Sequence, residues 1–314
     1  MEDYIVVIGA ANIDIGGNPY NKLIKNDSNP GKITISYGGV GRNIAENLSM
    51  LGMNVKLVVA MGNDALGRDL LEYCKKCGID TSYTLIDDGN SSMYMYINNV
   101  EGDMAIALSD VDIAHKITPS YLDSIEKLIN NAQVVVMDCN VTHELFMHLK
   151  KICKVPIFID PVSQSHASKI KNHLNGINTI KPNRLEAEYL TDIPIESLED
   201  YKKAAEEILS QGVKRVFISM GSDGMLAAQD NDYYLIDKYP VEVKSTTGAG
   251  DSAGAALIWS LSDKEYGQDI IRAAEAANAA ASVTVESGKT INHELSEELI
   301  IQRIEEGKMK VHKI

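Results

Sequence analysis

The segment Ser245-Thr246-Thr247-Gly248-Ala249-Gly250-Asp251 runs directly into the apolar stretch Ser252-Ala253-Gly254-Ala255-Ala256-Leu257-Ile258-Trp259. A glycine-rich turn that opens a helix leaves backbone N–H groups unpaired and aimed at one point, where the helix dipole also favours negative charge. Such a turn can hold an anion. A carboxylate on its lip, Asp251, is repelled by that anion and therefore calls for a task; taking a proton from an attacking hydroxyl is one, and the pair suggests phosphoryl transfer. The same residues also suit an ordinary turn followed by an N-capping aspartate, so the other parts of such a site must decide between the two.

Gly38-Gly39-Val40-Gly41-Arg42-Asn43 precedes a second helix and offers another place where backbone can approach a ligand closely. It is not a dinucleotide fingerprint, because the third glycine of Gly-x-Gly-x-x-Gly falls at Ile44. Asn12 and Asp14 follow the first strand, where short polar side chains can hydrogen-bond a polyol or simply form a turn. In Lys181-Pro182-Asn183-Arg184-Leu185-Glu186, Asn183 and Glu186 have the spacing of a capping box. They could also orient water around a Mg²⁺ ion that bridges nucleotide phosphates, and both readings can hold together. Phe217-Ile218-Ser219-Met220-Gly221-Ser222-Asp223-Gly224 reads as a strand ending in a glycine turn, suited to the edge of a nucleotide site or to a turn alone. Asn278 lies in the Ala-rich helix Ala276–Ala281, where close packing would leave a slot for a flat base; it could equally be a plain helix residue.

These residues need a frame that brings them together. β-Branched runs at Tyr4–Ile8, Val55–Ala60, Val134–Asp138, Pro156–Asp160 and Arg215–Met220 alternate with helical patterns at Arg42–Leu51, Gly67–Cys77, Pro119–Asn130, Leu198–Gln211 and Gln268–Thr284. Continuous apolar strands between amphipathic helices predict a buried parallel sheet with helices on both faces, a three-layer α/β/α domain. Asp14–Tyr37 and Ser91–Leu108 break the alternation. The second is a hairpin pattern, Ser92–Ile97 and Met104–Leu108 around Asn98-Asn99-Val100-Glu101-Gly102-Asp103. A small β-sheet lid from about 14–37 and 91–110 over the crevice is expected, a surface hairpin being the simpler alternative. Its apolar residues, Met93–Leu108, could pair with a second copy, so a homodimer through the lid is expected.

The 314 residues are 45% hydrophobic and 24% charged, enough for a single domain over 1–314. A net charge of −14 opposes binding to nucleic acid. The start lacks a basic region and no stretch approaches a membrane span, so a cytoplasmic protein without a membrane partner is expected. Cys74-Lys75-Lys76-Cys77 has redox or zinc spacing but no second ligand pair, and all four cysteines are read as reduced thiols.

With Gly38–Ala45 early, Asn183-x-x-Glu186 in the middle and Thr247-Gly248-Ala249-Gly250-Asp251 late, the chain resembles the ribokinase-like (PfkB) carbohydrate and nucleoside kinases over nearly its whole length. The resemblance implies a ribokinase-like fold, ATP and Mg²⁺ as cofactors, and a small-molecule nucleoside or sugar as acceptor. It implies Asp251 as general base, with the N–H groups of Gly248, Ala249 and Gly250 stabilising the γ-phosphoryl group. Asn183 and Glu186 would help place the metal, Ser219, Gly221, Gly224 and Asn278 would line the ATP site, and Asn12, Asp14, Gly39 and Asn43 would hold sugar hydroxyls.

Within that family, Val7–Ile15, Asp27–Gly31, Gly39–Leu48 and Asp160-Pro161-Val162-Ser163 are most similar to the pseudouridine kinases, which phosphorylate a nucleoside 5′-hydroxyl. Val40 stands where ribokinases have lysine, which argues against free ribose. Ser245 stands where many relatives carry an acidic residue near a monovalent-cation site, leaving a K⁺ requirement open. Adenosine, cytidine, uridine, ribose or fructose remain alternative acceptors, and a non-catalytic nucleotide- or sugar-binding sensor is the alternative of a different class.

Overall fold

The computed structural model describes residues 3–264, 269–307 and 309–314. Among the described residues nine strands form the main sheet: β1 (Ile5–Ile8), β2 (Val55–Val58), β3 (Val134–Asp138), β4 (Ile157–Asp160), β5 (Thr179–Ile180), β6 (Arg215–Ser219), β7 (Met225–Gln229), β8 (Asp232–Ile236) and β9 (Val311–Lys313). Their order across the sheet is β9-β8-β7-β6-β5-β4-β3-β1-β2. From β2 to β6 every pairing is parallel, and β7, β8 and β9 are joined antiparallel.

The two faces of the sheet read directly from the period of two along each strand. Val6, Ile8, Val135, Met137, Ile157 and Ile159 point into one apolar cluster with Leu145, Leu149, Ala204 and Ile208. Ile5, Val7, Val136 and Phe158 point into another with Ile44, Leu48, Leu257 and Ala273. Because both faces are covered, β1, β3 and β4 carry no polar residue until they end. Helices Val40–Met50, Ala249–Leu261 and Ile270–Ser287 lie on one side, and His143–Ile152 and Leu198–Ser210 on the other. This is the expected three-layer α/β/α architecture.

Three expectations change. The sheet is mixed rather than parallel, because β7 and β8 form a hairpin whose turn places Asp230 at φ 54°, a conformation that aspartate tolerates better than most residues. The helix expected over Pro119–Asn130 is two helices, Pro119–Ser124 and Glu126–Asn130. It breaks where buried Ile125 leaves helical dihedrals, at φ −112° and ψ 16°. The run Val55–Ala60 divides into β2 and a short strand, Ala60–Gly62, that pairs with Leu85–Asp87. The helix expected over Gln268–Thr284 is described from Ile270 to Ser287, Gln268 lying outside the described residues, and a further helix, Glu297–Gly307, follows it.

The two inserted segments form a separate four-stranded sheet, ordered Gly31–Gly38, Asn12–Pro19, Met93–Asn98, Met104–Asp110. Register divides its residues cleanly. Asp14, Ser36, Tyr94 and Ser109 share one face with Gly16, Thr34 and Tyr96, while Ile15, Ile35, Met95 and Leu108 share the other with Ile33, Ile97 and Ile106. The apolar face is open to solvent, Ile33 and Leu108 being 74% and 71% exposed. Among the described residues no helix is long and apolar enough to cross a membrane, and all four cysteines are free thiols.

Candidate active site

Parallel strands end together, and the residues that close them are where polar groups first meet the crevice. β3 and β4 end in register on Asp138 and Asp160. Asp138 is fully buried and accepts from the amides of Ala10 at 2.9 Å, Gly41 at 2.7 Å and Asn140 at 2.8 Å. It thereby ties the turn after β1 to the start of helix Val40–Met50. Burial pushes its carboxyl up to about 6, against the pull of those hydrogen bonds. Gly39 enters that helix at φ 94°, and a Cβ there would lie 2.5 Å from the Ala10 carbonyl oxygen. Only glycine fits.

One turn along, Asn43 reaches across the crevice and its Nδ2 donates to Asp251 Oδ2 at 2.6 Å. Asp251 sits in the first turn of helix Ala249–Leu261, half-buried. Burial, with the neighbouring charge of Asp160, pushes its carboxyl up to about 7, while Asn43, Lys181 and Arg42 act the other way. A carboxylate in that range is poised to take a proton near neutrality. Gly248 precedes it as the left-handed N-cap, at φ 85°. The Ala249 amide leans on the Thr246 carbonyl at 3.3 Å; among the described residues no backbone carbonyl accepts from the amides of Gly248, Gly250 or Asp251. The Ser245 hydroxyl accepts from the Thr247 amide at 3.2 Å.

Two residues to which the sequence reading gave no role complete the charge arrangement. Lys181, 4% exposed, places Nζ 3.1 Å from Asp160 Oδ2, and a Cβ on Gly250 would fall 3.7 Å from that Nζ. The ammonium therefore lies close to Gly250 of the turn. Burial works against its charge, yet Asp160, Glu186 and Asp251 hold its pKa above the ordinary value. The signal in the sequence was a charged residue at the end of each apolar run, Phe158-Ile159-Asp160 and Thr179-Ile180-Lys181.

Asn183 and Glu186 do form a capping box: Asn183 Oδ1 accepts from the Glu186 amide at 3.0 Å, and Glu186 Oε2 from the Asn183 amide at 2.9 Å. Asn183 Nδ2 also donates to Glu186 Oε1 at 2.6 Å. Burial and Asp160 together push Glu186 up to about 7. Two buried carboxylates that repel each other beside an amide oxygen fit a hard cation that brings its own water. Among the described residues no group of three or more His, Cys, Asp or Glu is arranged to enclose a metal.

Ser219, at the end of β6, bridges to Asn183 and donates its amide to the Pro182 carbonyl at 3.0 Å, which brings the glycine turn of Gly221 and Gly224 beside the Asn183–Glu186 pair. Gly224 passes against the Ile236 carbonyl, which accepts from Asn278 Nδ2 at 3.1 Å; the Asp237 carbonyl takes the second bond from the same nitrogen. The donors of Asn278 thus hold the end of β8. On the lid, Asn12 Oδ1 accepts from Ser92 Oγ at 2.9 Å, linking the two inserted segments. Asp14 lies against Gly38, and burial pushes its carboxyl up to about 6.

Comparison with known proteins follows the same lines. The family model described as pfkB family carbohydrate kinase matches residues 2–297. The pseudouridine kinase of Escherichia coli (strain K12) is 37% identical over 309 residues, covering 97% of both chains. A crystal structure of a sugar kinase from Clostridium perfringens superposes with a TM-score of 0.90 at 32% identity, over 100% of this chain and 99% of that one. Arabidopsis thaliana ribokinase, solved with ribose and ATP, shares the fold at a TM-score of 0.84 and 23% identity, over 96% and 98% of the two chains.

The turn before Asp251 yields a paired test. A Cβ on Gly248 would fall 1.9 Å from the Thr290 carbonyl oxygen at a positive φ, whereas on Gly250 its nearest neighbour is at ordinary contact distance. Gly248→Ala should destabilise the fold by at least ~2 kcal/mol in denaturant titration, and Gly250→Ala by less than about 1 kcal/mol.

Proposed function

The chain belongs to the pfkB family of carbohydrate kinases, phosphotransferases with a hydroxyl acceptor, and from that premise we propose that it transfers the γ-phosphoryl group of ATP to the 5′-hydroxyl of pseudouridine. The observation that carries the chemistry is the contact of Asn43 with Asp251 beside the unpaired amides of the Gly248 turn. The likeness to the Escherichia coli pseudouridine kinase supports the acceptor.

In this reading Asp251 takes the hydroxyl proton as the acceptor oxygen bonds to the γ-phosphorus and the bond to the bridging oxygen breaks, releasing ADP. The Gly248, Ala249 and Gly250 turn and the Lys181 ammonium meet the charge carried by the transferring group. Asn12, Asp14, Gly39 and Asn43 hold the ribose, while Ser219, Gly221, Gly224 and Asn278 shape the nucleotide side. Asn183 and Glu186 would help to hold a Mg²⁺ ion, which would supply neutralisation of phosphate charge. The lid excludes water, the competing acceptor. The open apolar face of Ile33, Ile35, Leu108 and their neighbours fits a second copy of the chain, giving a homodimer; its free thiols suit a cytoplasmic enzyme.

A coupled ADP-release assay across pseudouridine, uridine, cytidine, adenosine, ribose and fructose should give its highest kcat/KM with pseudouridine. A better acceptor among the others would replace it, and ligand binding without ADP release from any of them would make the protein a sensor. Asp251→Asn should lower turnover by at least ~10³-fold with ATP and acceptor affinity changed less than about tenfold. Because the base must be ionised and its pKa lies near 7, kcat/KM should fall about tenfold per unit below that pH and level off above it. Replacing Ile35 and Leu108 by lysine should convert a dimer to a monomer in sedimentation velocity; a wild-type monomer refutes the assembly.

A further inference from the structure

Arg42 is 1% exposed, on a helix that packs against β1 and helix Ala249–Leu261. Buried charge is expensive, and a well-packed apolar residue in place of a buried ion pair is often neutral or stabilising. Stability therefore gives weak reason for an arginine here, and its contacts give a better one. Nε donates to the Gly38 carbonyl at 3.1 Å and Nη2 to the Tyr37 carbonyl at 2.7 Å. Nη2 also bonds Asn43 Oδ1, and Nη1 bonds Glu46 Oε2. Glu46 is 1% exposed as well, and its other oxygen accepts from the Tyr73 hydroxyl at 2.6 Å and faces His293 Nε2 at 3.1 Å.

A guanidinium only donates. Asn43 must therefore turn its oxygen toward Arg42, which leaves its NH₂ group, and not its carbonyl, facing Asp251. Reversed, the Asn43 oxygen would repel the Asp251 carboxylate. The same guanidinium grips the last two carbonyls of the lid strand Gly31–Gly38, where the lid joins the core. We propose that Arg42 is a positioning residue of the phosphoryl transfer: it fixes the Asn43 carboxamide so that Asp251 is held for proton abstraction, and it registers the lid strand to that arrangement. Glu46, held by Tyr73, is the counter-ion that lets the guanidinium stay buried. The inference rests on Asp251 being the base.

Arg42→Lys keeps the charge opposite Glu46 but cannot serve Gly38, Tyr37 and Asn43 at once. It should fold, melting within a few degrees of wild type, and lose about 100-fold in kcat while KM for ATP changes less than about threefold, the size of loss expected when a reacting group is slightly misplaced. Arg42→Ala should lose more, and guanidinium chloride at sub-denaturing concentration should restore part of its kcat. Normal turnover in Arg42→Lys overturns the proposal, as does a loss of activity that only tracks the folded fraction or a folded Arg42→Ala that guanidinium does not rescue. Asp251→Asn measured alongside separates the two readings. If it retains turnover, the base assignment falls and this inference with it; if it is inactive while Arg42→Lys is normal, only the role of Arg42 falls.

Discussion

A single hydrogen bond, from Asn43 Nδ2 to Asp251 Oδ2, joins residues 208 positions apart, and most of the architecture serves to bring its two ends to one point. One end is delivered by a glycine turn pinned to the sheet through Asp138, the other by a left-handed glycine cap at the start of a nearly all-buried helix. Neither element can move independently. The two helices pack side by side over the same face of the sheet, with Ile44 and Leu257 in one apolar cluster, and close-packed interiors transmit displacement rather than absorb it. The rigid core thus sets the distance across which the proposed proton transfer occurs.

Charge is the second constraint. Asp160, Glu186 and Asp251 crowd the carboxyl ends of the strands, and burial with mutual repulsion raises Glu186 and Asp251 to about 7. Lys181 offsets part of this at both carboxyls, and Arg42 at Asp251. A site this negative is a poor receptor for a bare polyphosphate and a better one for a phosphate accompanied by a cation, which is the physical argument for the proposed Mg²⁺. In the proposed reaction the unpaired amides add to what the Lys181 ammonium supplies. They offer positive potential without a further charged group to desolvate.

The parts of the site that were legible in the sequence are those encoded locally. A glycine that must take a positive φ, an asparagine three residues before a glutamate and a hairpin with a polar turn each carry their signal within a few residues. Arg42, Asp138, Asp160 and Lys181 carry no such signal, because their meaning comes from the assembled fold: Asp138 reaches Gly41 over 97 positions, Asp160 and Lys181 meet from the ends of neighbouring strands, and Arg42, whose own bonds are to nearby residues, matters through the reach of Asn43 to Asp251. What marks them in the sequence is misfit: a charge on the apolar face of a helix or at the close of an uninterrupted apolar strand. Where such a residue is fully buried, the desolvation penalty demands a set of partners, and those partners delineate the site. The antiparallel edge was missed for a different reason. Met225–Gln229 and Asp232–Ile236 are short and lack a glycine turn, and Asp230 supplies the left-handed residue instead.

The lid shows how one sheet can satisfy two opposite demands. Register puts Asp14, Thr34, Ser36, Tyr94 and Tyr96 on one face and seven apolar side chains on the other, so the lid cannot present a polar surface to the crevice without presenting an apolar one outward. A single four-stranded sheet with an exposed apolar face is unfavourable alone in water. Burying that face against a second copy would stiffen the sheet, and the polar face would then be held at a fixed height over the acceptor. Arg42 grips the strand of this sheet that leads into Asn43, at Tyr37 and Gly38. In the proposed enzyme the outer surface of the lid, its inner surface and the orientation of Asn43 therefore form one mechanical unit, with the hydrogen bond to Asp251 at its inner end.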